Sequence, residues 1–210
     1  MEKKTLVGLD RDGTINLDDG FFGIKDDWRE RLEFHEGIAE GIRMLNQKEG
    51  VYVTVATNQV GVARGFYTTQ RIEEIHQEIS RRLAEKGARI DDWQYFPYVD
   101  PEYARRKGIE GSPWVSDTLN IRKPHSGMVL RSVERLGFSI QDFGHIFFIG
   151  DRASDVETGL NLRGIGIFVM TGAYEEYVDS VEQLSRENPG RVYIAKDFLG
   201  AASKVLELIE

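Results

Sequence analysis

The 210-residue chain contains no cysteine, which excludes disulfides and thiolate metal sites and leaves the redox compartment unmarked. Long apolar runs are missing as well. No stretch approaches the roughly 20 residues of a membrane-spanning helix, and the opening MEKKTLVGLD is too short for a signal-peptide core, so a cytoplasmic protein with no membrane partner is expected. Basic charge is in deficit: 27 Lys and Arg stand against 35 Asp and Glu, a net charge of -8. That balance argues against a nucleic-acid surface built on bulk electrostatics. The basic stretches ISRRLAEKGAR and EYARRKG are each flanked by acids and read as solvated faces. Repeats, low-complexity tracts and linkers are absent too. Residues 1–210 therefore read as one domain with insertions, and as a monomer, with the 40% apolar and 30% charged content of an ordinary globular protein.

What is present is a rhythm. Short, nearly continuous apolar runs (TLVGLD from Thr5, VYVTVAT from Val51, HIFFIGD from His145, GIGIFVM from Gly164, RVYIA from Arg191) have the pattern of strands covered on both faces. Helical patterns alternate with them. One begins near Thr68 and Thr69, repeats Ile72, Ile75, Ile79 and Leu83, and stops at Gly87; another runs from about Ser126 to Leu136; Asp197 caps a third. Strands alternating with helices predict an α/β fold: a doubly wound, Rossmann-like parallel sheet with helices on both faces and no large cap domain. Two segments interrupt the rhythm. Residues 15–34, rich in glycine, phenylalanine and charge, suit a small flap over the end of the first strand, and residues 98–121 suit a loop insertion that closes or opens over the site.

Ligands on such sheets bind at the carboxyl ends of the strands, and reactive residues collect there. The first strand delivers Asp10 and Asp12, the second Thr57, Asn58 and Gln59, and the third apolar run delivers Asp151, followed by Arg152 and Asp155; NIRKPHSG sets Arg122 and Lys123 before a helix. Asp10 and Asp12 are separated by one residue. Two carboxylates so close repel unless a cation sits between them or one keeps its proton. Mg²⁺ prefers oxygen ligands and shares its shell with substrate phosphate; Asp10, Asp12 and Asp151, with a backbone carbonyl, form the candidate ligand set. With Lys123 and Thr57 on the non-bridging oxygens, Asp10 is a competent nucleophile and Asp12 a proton carrier for the leaving alcohol and then for water.

DRDGT, TNQ, the lysine of RKP and GDRASD occur in order, which resembles the haloacid dehalogenase superfamily of Mg²⁺-dependent phosphatases. More narrowly, DRDGTIN, TNQVGVARGFYT and RKPHSGM resemble the branch that contains D-glycero-D-manno-heptose 1,7-bisphosphate phosphatase and the histidinol-phosphate phosphatases. The resemblance, which runs from about Leu6 to Gly172, implies a small phosphorylated metabolite as substrate, an aspartyl-phosphate intermediate on Asp10 and Asp12 as acid/base. It further implies phosphate binding by Thr57 and Lys123, substrate contact by Arg122 and Asn58, and Asp151 as the remaining metal ligand. Members of that branch commonly hold a structural zinc before the RKP segment with cysteines and a histidine. Neither residue type occurs between Trp93 and Lys123, so zinc is not expected, and Trp93, Tyr95, Phe96, Tyr98 and Trp114 are expected to order the loop by packing.

Each motif also has a plainer reading. Asp10 and Asp12 alone make a strand-end turn, Thr57 to Gln59 a polar turn, Lys123 a solvated charge, Asp155 a helix-supporting acid, and Arg64 a surface residue or a substrate clamp. His35, His76, His125 and His145 lack ligand spacing and read as structural, with His76 on the polar or flanking side of its helix. Three other activities fit the same residues: a histidinol-phosphate phosphatase, a polynucleotide 3′-phosphatase, and a receiver-like signalling module that accepts a phosphoryl group on aspartate without turnover.

Overall fold

The computed structural model describes residues 3–18 and 20–210. Its centre is a six-stranded, all-parallel sheet in the order β3-β2-β1-β4-β5-β6, formed by β1 (Lys4–Leu9), β2 (Val51–Asn58), β3 (Asp92–Phe96), β4 (Phe143–Gly150), β5 (Ile165–Val169) and β6 (Val192–Ala195). The alternation of side chains along each strand serves two cores. In β1, Val7 and Leu9 enter one core while Leu6 enters the other; in β4, Phe147 and Ile149 oppose Phe148 in the same way. All of these side chains are fully buried, which is why the strands read as continuous apolar runs.

Among the described residues there are seven α-helices: α1 (Ile38–Gln47), α2 (Thr69–Ala84), α4 (Gly127–Arg135), α5 (Ala153–Asn161), α6 (Val178–Glu187) and α7 (Phe198–Ile209) flank the sheet, and α3 (Pro101–Lys107) lies in the segment after β3. Helix α2 starts where Thr68 accepts from the Arg71 N–H, and it buries the predicted Ile72, Ile75, Ile79 and Leu83 stripe. Asp197 caps α7 by accepting from the Gly200 N–H. Ile75, Ile79 and Leu83 of α2, Ile38, Ile42 and Leu45 of α1, and Phe198, Ala201, Ala202 and Val205 of α7 share the core of one sheet face, while Met128, Val129 and Val133 of α4 pack on the other.

Strand β3 was not predicted. Its sequence, DWQYF, breaks its apolar residues with Asp92 and Gln94 and buries only Asp92 and Phe96, so it lacks the apolar continuity in sequence that marks the other five. His76 is also corrected. It is 5% exposed and sits inside, stacked on Trp93 of β3 at 4.4 Å, rather than on a polar flank.

The interrupting segments are more built than expected. In the described part of 15–34, the Leu17 N–H donates to Glu33 and the His35 N–H to Ile15, closing a neck, while Trp28 and Leu32 enter the main core. Arg71 and Arg82 of α2 hold the segment by donating to carbonyls of Gly23, Lys25, Leu32 and Arg29. Segment 98–121 contains α3, capped by Asp100, and closes on its own apolar cluster of Val99, Ala104, Tyr103, Ile109, Trp114 and Val115 against Val60 and Ala63. Tyr98 meets Trp114 edge-on at 5.1 Å, as the packing expectation required, whereas Trp93 and Tyr95 belong to β3 and pack on His76.

Candidate active site

Strands β1 and β4 are neighbours at the point where the chain reverses its direction of travel across the sheet, so the crevice between their carboxyl ends is where such folds bind ligands. Asp10 follows β1 and Asp151 follows β4; both are buried. Local geometry then brings in a third acid. Asp155, in the first turn of α5, accepts from the Arg152 N–H and supports the start of the helix. Oxygens of Asp10, Asp151 and Asp155 all lie within 4.8 Å of one another.

One cation pairs with two of the three. Lys123 Nζ lies 2.6 Å from Asp10 and 2.7 Å from Asp155, on a side chain 3% exposed. Burial lowers the lysine's proton affinity, but Asp10 and Asp155 outweigh it and hold the ammonium charged. Three carboxylates against one ammonium leave an excess of negative charge in a buried place. Burial and the charges of Asp10 and Asp155 push Asp151 up to about 7, and burial together with Asp10 pushes Asp155 up to about 6 despite Lys123. An all-oxygen donor set carrying excess negative charge suits a hard divalent cation.

The surroundings are shaped to hold Asp151. Its carboxylate accepts from the Thr14 hydroxyl at 3.2 Å and the Ala173 N–H at 2.8 Å. Gly13 adopts φ +84°, and a Cβ there would strike that carboxylate, so the glycine of DRDGT is needed for both conformation and space.

Asp12 is held apart from the acidic cluster. Its two oxygens accept from Arg11 at 2.9 and 2.6 Å, from Gln59 at 2.7 Å and from Asn16 at 3.1 Å. Burial raises the Asp12 pKa, but Arg11, Gln59 and Asn16 outweigh it and set the carboxyl below its ordinary range. The repulsion between Asp10 and Asp12 is thus relieved by two separate cations, Lys123 on one and Arg11 on the other. Arg11 was not picked out from the sequence. A strongly basic residue between two acids at a strand end was the available signal.

The other expected residues divide. Thr57 (1% exposed) lines the cavity and accepts from Gln59, which in turn accepts from the Tyr67 hydroxyl. Asn58 lines the same cavity and also exchanges two hydrogen bonds with the Lys123 backbone, at 3.2 Å each, so it fastens the lysine loop to β2. Arg122 and Arg152 line the cavity of about 720 Å³ that opens above Asp10, with Arg152 lying 3.8 Å from Asp18 of the flap. Arg64 is not among the lining residues; its guanidinium sits over the rings of Phe21 and Phe66 and ties the flap to the loop after β2. Asp155, expected as a supporting residue, joins Asp10 and Asp151 in the acidic cluster, and the Asp12 carboxylate does not.

Residues 120–201 match the HAD-hydrolase-like family. Over 159 residues the chain is 39% identical to the D-glycero-β-D-manno-heptose-1,7-bisphosphate 7-phosphatase of Rhodopseudomonas palustris, covering 74% of this chain and 77% of that one. It belongs to the haloacid dehalogenase-like phosphatases. A second relative in that family, the D-glycero-D-manno-heptose-1,7-bisphosphate 7-phosphatase of Chlorobaculum tepidum, is 33% identical over 191 residues, 88% of this chain and 87% of that one. The fold is likewise that of a solved family structure, the D,D-heptose 1,7-bisphosphate phosphatase of B. bronchiseptica complexed with magnesium and phosphate. It superimposes with a TM-score of 0.73 at 24% identity, covering 97% and 99% of the two chains.

Proposed function

We propose that this chain acts, as a single domain, as a Mg²⁺-dependent phosphomonoesterase that removes the 7-phosphate of D-glycero-D-manno-heptose 1,7-bisphosphate. The observation that carries the chemistry is the buried cluster of Asp10, Asp151 and Asp155 beneath the cavity, with Lys123 paired to Asp10 and Asp155. The substrate rests on the relatives' activity and on a cavity of about 720 Å³ whose wall carries Arg122 and Arg152 for a doubly phosphorylated sugar.

Asp10 and Asp151, with Asp155 adjoining, are the residues to hold Mg²⁺, joined by the Asp12 backbone carbonyl; when bound, the ion offsets the repulsion between carboxylate and phosphate. Lys123 and Thr57 bind the non-bridging oxygens. Asp10 attacks phosphorus, the bond to the sugar oxygen breaks, and Asp12 gives that oxygen a proton. Asp12 rests ionised beside Arg11, and the arriving phosphate dianion raises its affinity for the proton it must first take up. Asp12 then takes a proton from the water that attacks the phosphorus of the aspartyl phosphate, and Asp10 is regenerated. Asn58 acts through the loop it fastens.

Phosphate release from the heptose bisphosphate in Mg²⁺ tests the reading. Wild-type turnover that Asp12→Asn abolishes supports it. Full turnover by that variant would contradict the role of Asp12, and no turnover by a folded wild-type protein that still takes up phosphate would point to the signalling module.

A further inference from the structure

The Arg11 guanidinium is 0% exposed and is not part of the cavity wall. Burying a guanidinium is costly unless its donors find acceptors. Here Nε and Nη2 engage both oxygens of Asp12, and Nη1 lies 3.2 Å from His76 Nε2. A guanidinium only donates, so His76 Nε2 must accept, which fixes the neutral ring with its proton on Nδ1. Burial and the charge of Arg11 both keep the imidazole neutral. The ring itself is clamped: it stacks on Trp93 at 4.4 Å and 24°, and Tyr95 meets its edge at 6.0 Å.

We propose that Arg11 and His76 form a buried support that fixes the Asp12 carboxylate in its proton-transfer orientation, making His76, on α2, a positioning residue for the reaction. This rests on Asp12 being the proton carrier proposed above. A chain of contacts runs from β3 through His76 to Arg11 and so to both oxygens of Asp12, whose side chain keeps 16% exposure toward the cavity. Gln59 and Asn16 each reach a single oxygen of Asp12, so neither reproduces the two-point grip of a guanidinium. Proton transfer requires hydrogen-bond reach, and small misplacements of a reacting group cost rate steeply.

The leaving group separates positioning from general structural damage. In this two-step reaction, kcat/KM reports transfer of phosphate to the enzyme. That step needs a proton from Asp12 when a sugar alkoxide leaves, and needs little help when p-nitrophenolate leaves. With Asp12→Asn as reference, His76→Phe, which keeps a ring but loses the acceptor, is expected to lower kcat/KM for the heptose bisphosphate about ten-fold or more while leaving p-nitrophenyl phosphate within about two-fold. His76→Gln, whose amide oxygen can accept from Arg11, is expected to recover most of the loss. Arg11→Lys, a point charge that cannot grip both oxygens and His76 together, is expected to show the same selective loss and serves if His76→Phe does not fold. If Asp12→Asn is selective but folded His76→Phe, or Arg11→Lys in its place, loses both substrates equally or neither, the support is refuted while Asp12 keeps its role. If Asp12→Asn itself lowers both equally, the underlying assignment of Asp12 fails and the support fails with it.

Discussion

At the scale of single residues, the site is a solution to a charge problem. Four carboxylates gather around one crevice, and two buried cations divide their pairing, Lys123 with Asp10 and Asp155 of the proposed metal site and Arg11 with Asp12, the proposed proton carrier. Asp10→Asn keeps the shape but removes the proposed nucleophile, so phosphate release is expected to fall about 10³-fold or more, measured with purified protein in saturating Mg²⁺. His76 gives a pH signature. It is held neutral in the folded chain, while the unfolded chain protonates it near pH 6.5. Its contribution is therefore complete above that pH and is lost as pH falls below it, because only the unfolded state binds the proton. Urea unfolding at pH 7 and pH 5 is expected to show wild type losing up to about 2 kcal/mol that His76→Gln does not lose; equal losses would contradict it. Asp10, Thr57, Lys123 and Asp151 were legible in the sequence because each sits in a short motif at a strand end or before a helix. His76 and the clamping role of Asn58 were not, because each acts through a partner 65 residues away in sequence, a distance that no local spacing records, whereas Arg11 was passed over although the acids on either side of it were a local signal.

At the scale of elements, close packing between β1 and β4 sets where Asp10 and Asp151 stand. Gly8 is part of that fit: a Cβ there would meet the Phe148 ring at 2.6 Å. Gly8→Ala is expected to cost about 1–3 kcal/mol in thermal or chemical unfolding and to lower activity by shifting β1. The flap is anchored rather than loose. Trp28, 1% exposed and meeting Phe22 edge-on, is its root in the core, so Trp28→Ala is expected to cost about 3–5 kcal/mol and to raise KM by loosening the cavity mouth. Strands β1, β2, β4 and β5 were readable because burial on both faces leaves near-continuous apolar runs, β6 because VYIA is apolar even though it lies at the sheet edge, and α2 and α7 because caps and periodicity are local signals. Strand β3 and helix α3 were hidden for the opposite reason. Each is short and partly exposed, and each is stabilised by what it packs against: Ser132 and Arg135 of α4 on Asp92, and the cluster around Val99 and Trp114.

At the scale of the whole molecule, a parallel sheet with its reversal point between β1 and β4 places four sequence-distant motifs on one floor beneath one cavity. None of the described helices is long and apolar enough to cross a membrane. Because the acidic cluster carries excess negative charge, Mg²⁺ should bind the folded chain and stabilise it, by about 2.7 kcal/mol at a hundred-fold excess over Kd. A rise in Tm with Mg²⁺ that Asp151→Asn abolishes would confirm that the cluster is the binding site. The most direct test of the account is inorganic phosphate release from D-glycero-D-manno-heptose 1,7-bisphosphate by wild type and Asp10→Asn, each with Mg²⁺ and with chelator. Wild type in Mg²⁺ is expected to release one phosphate rapidly, with background release in the other three conditions. Release that persists in Asp10→Asn or in chelator would contradict it.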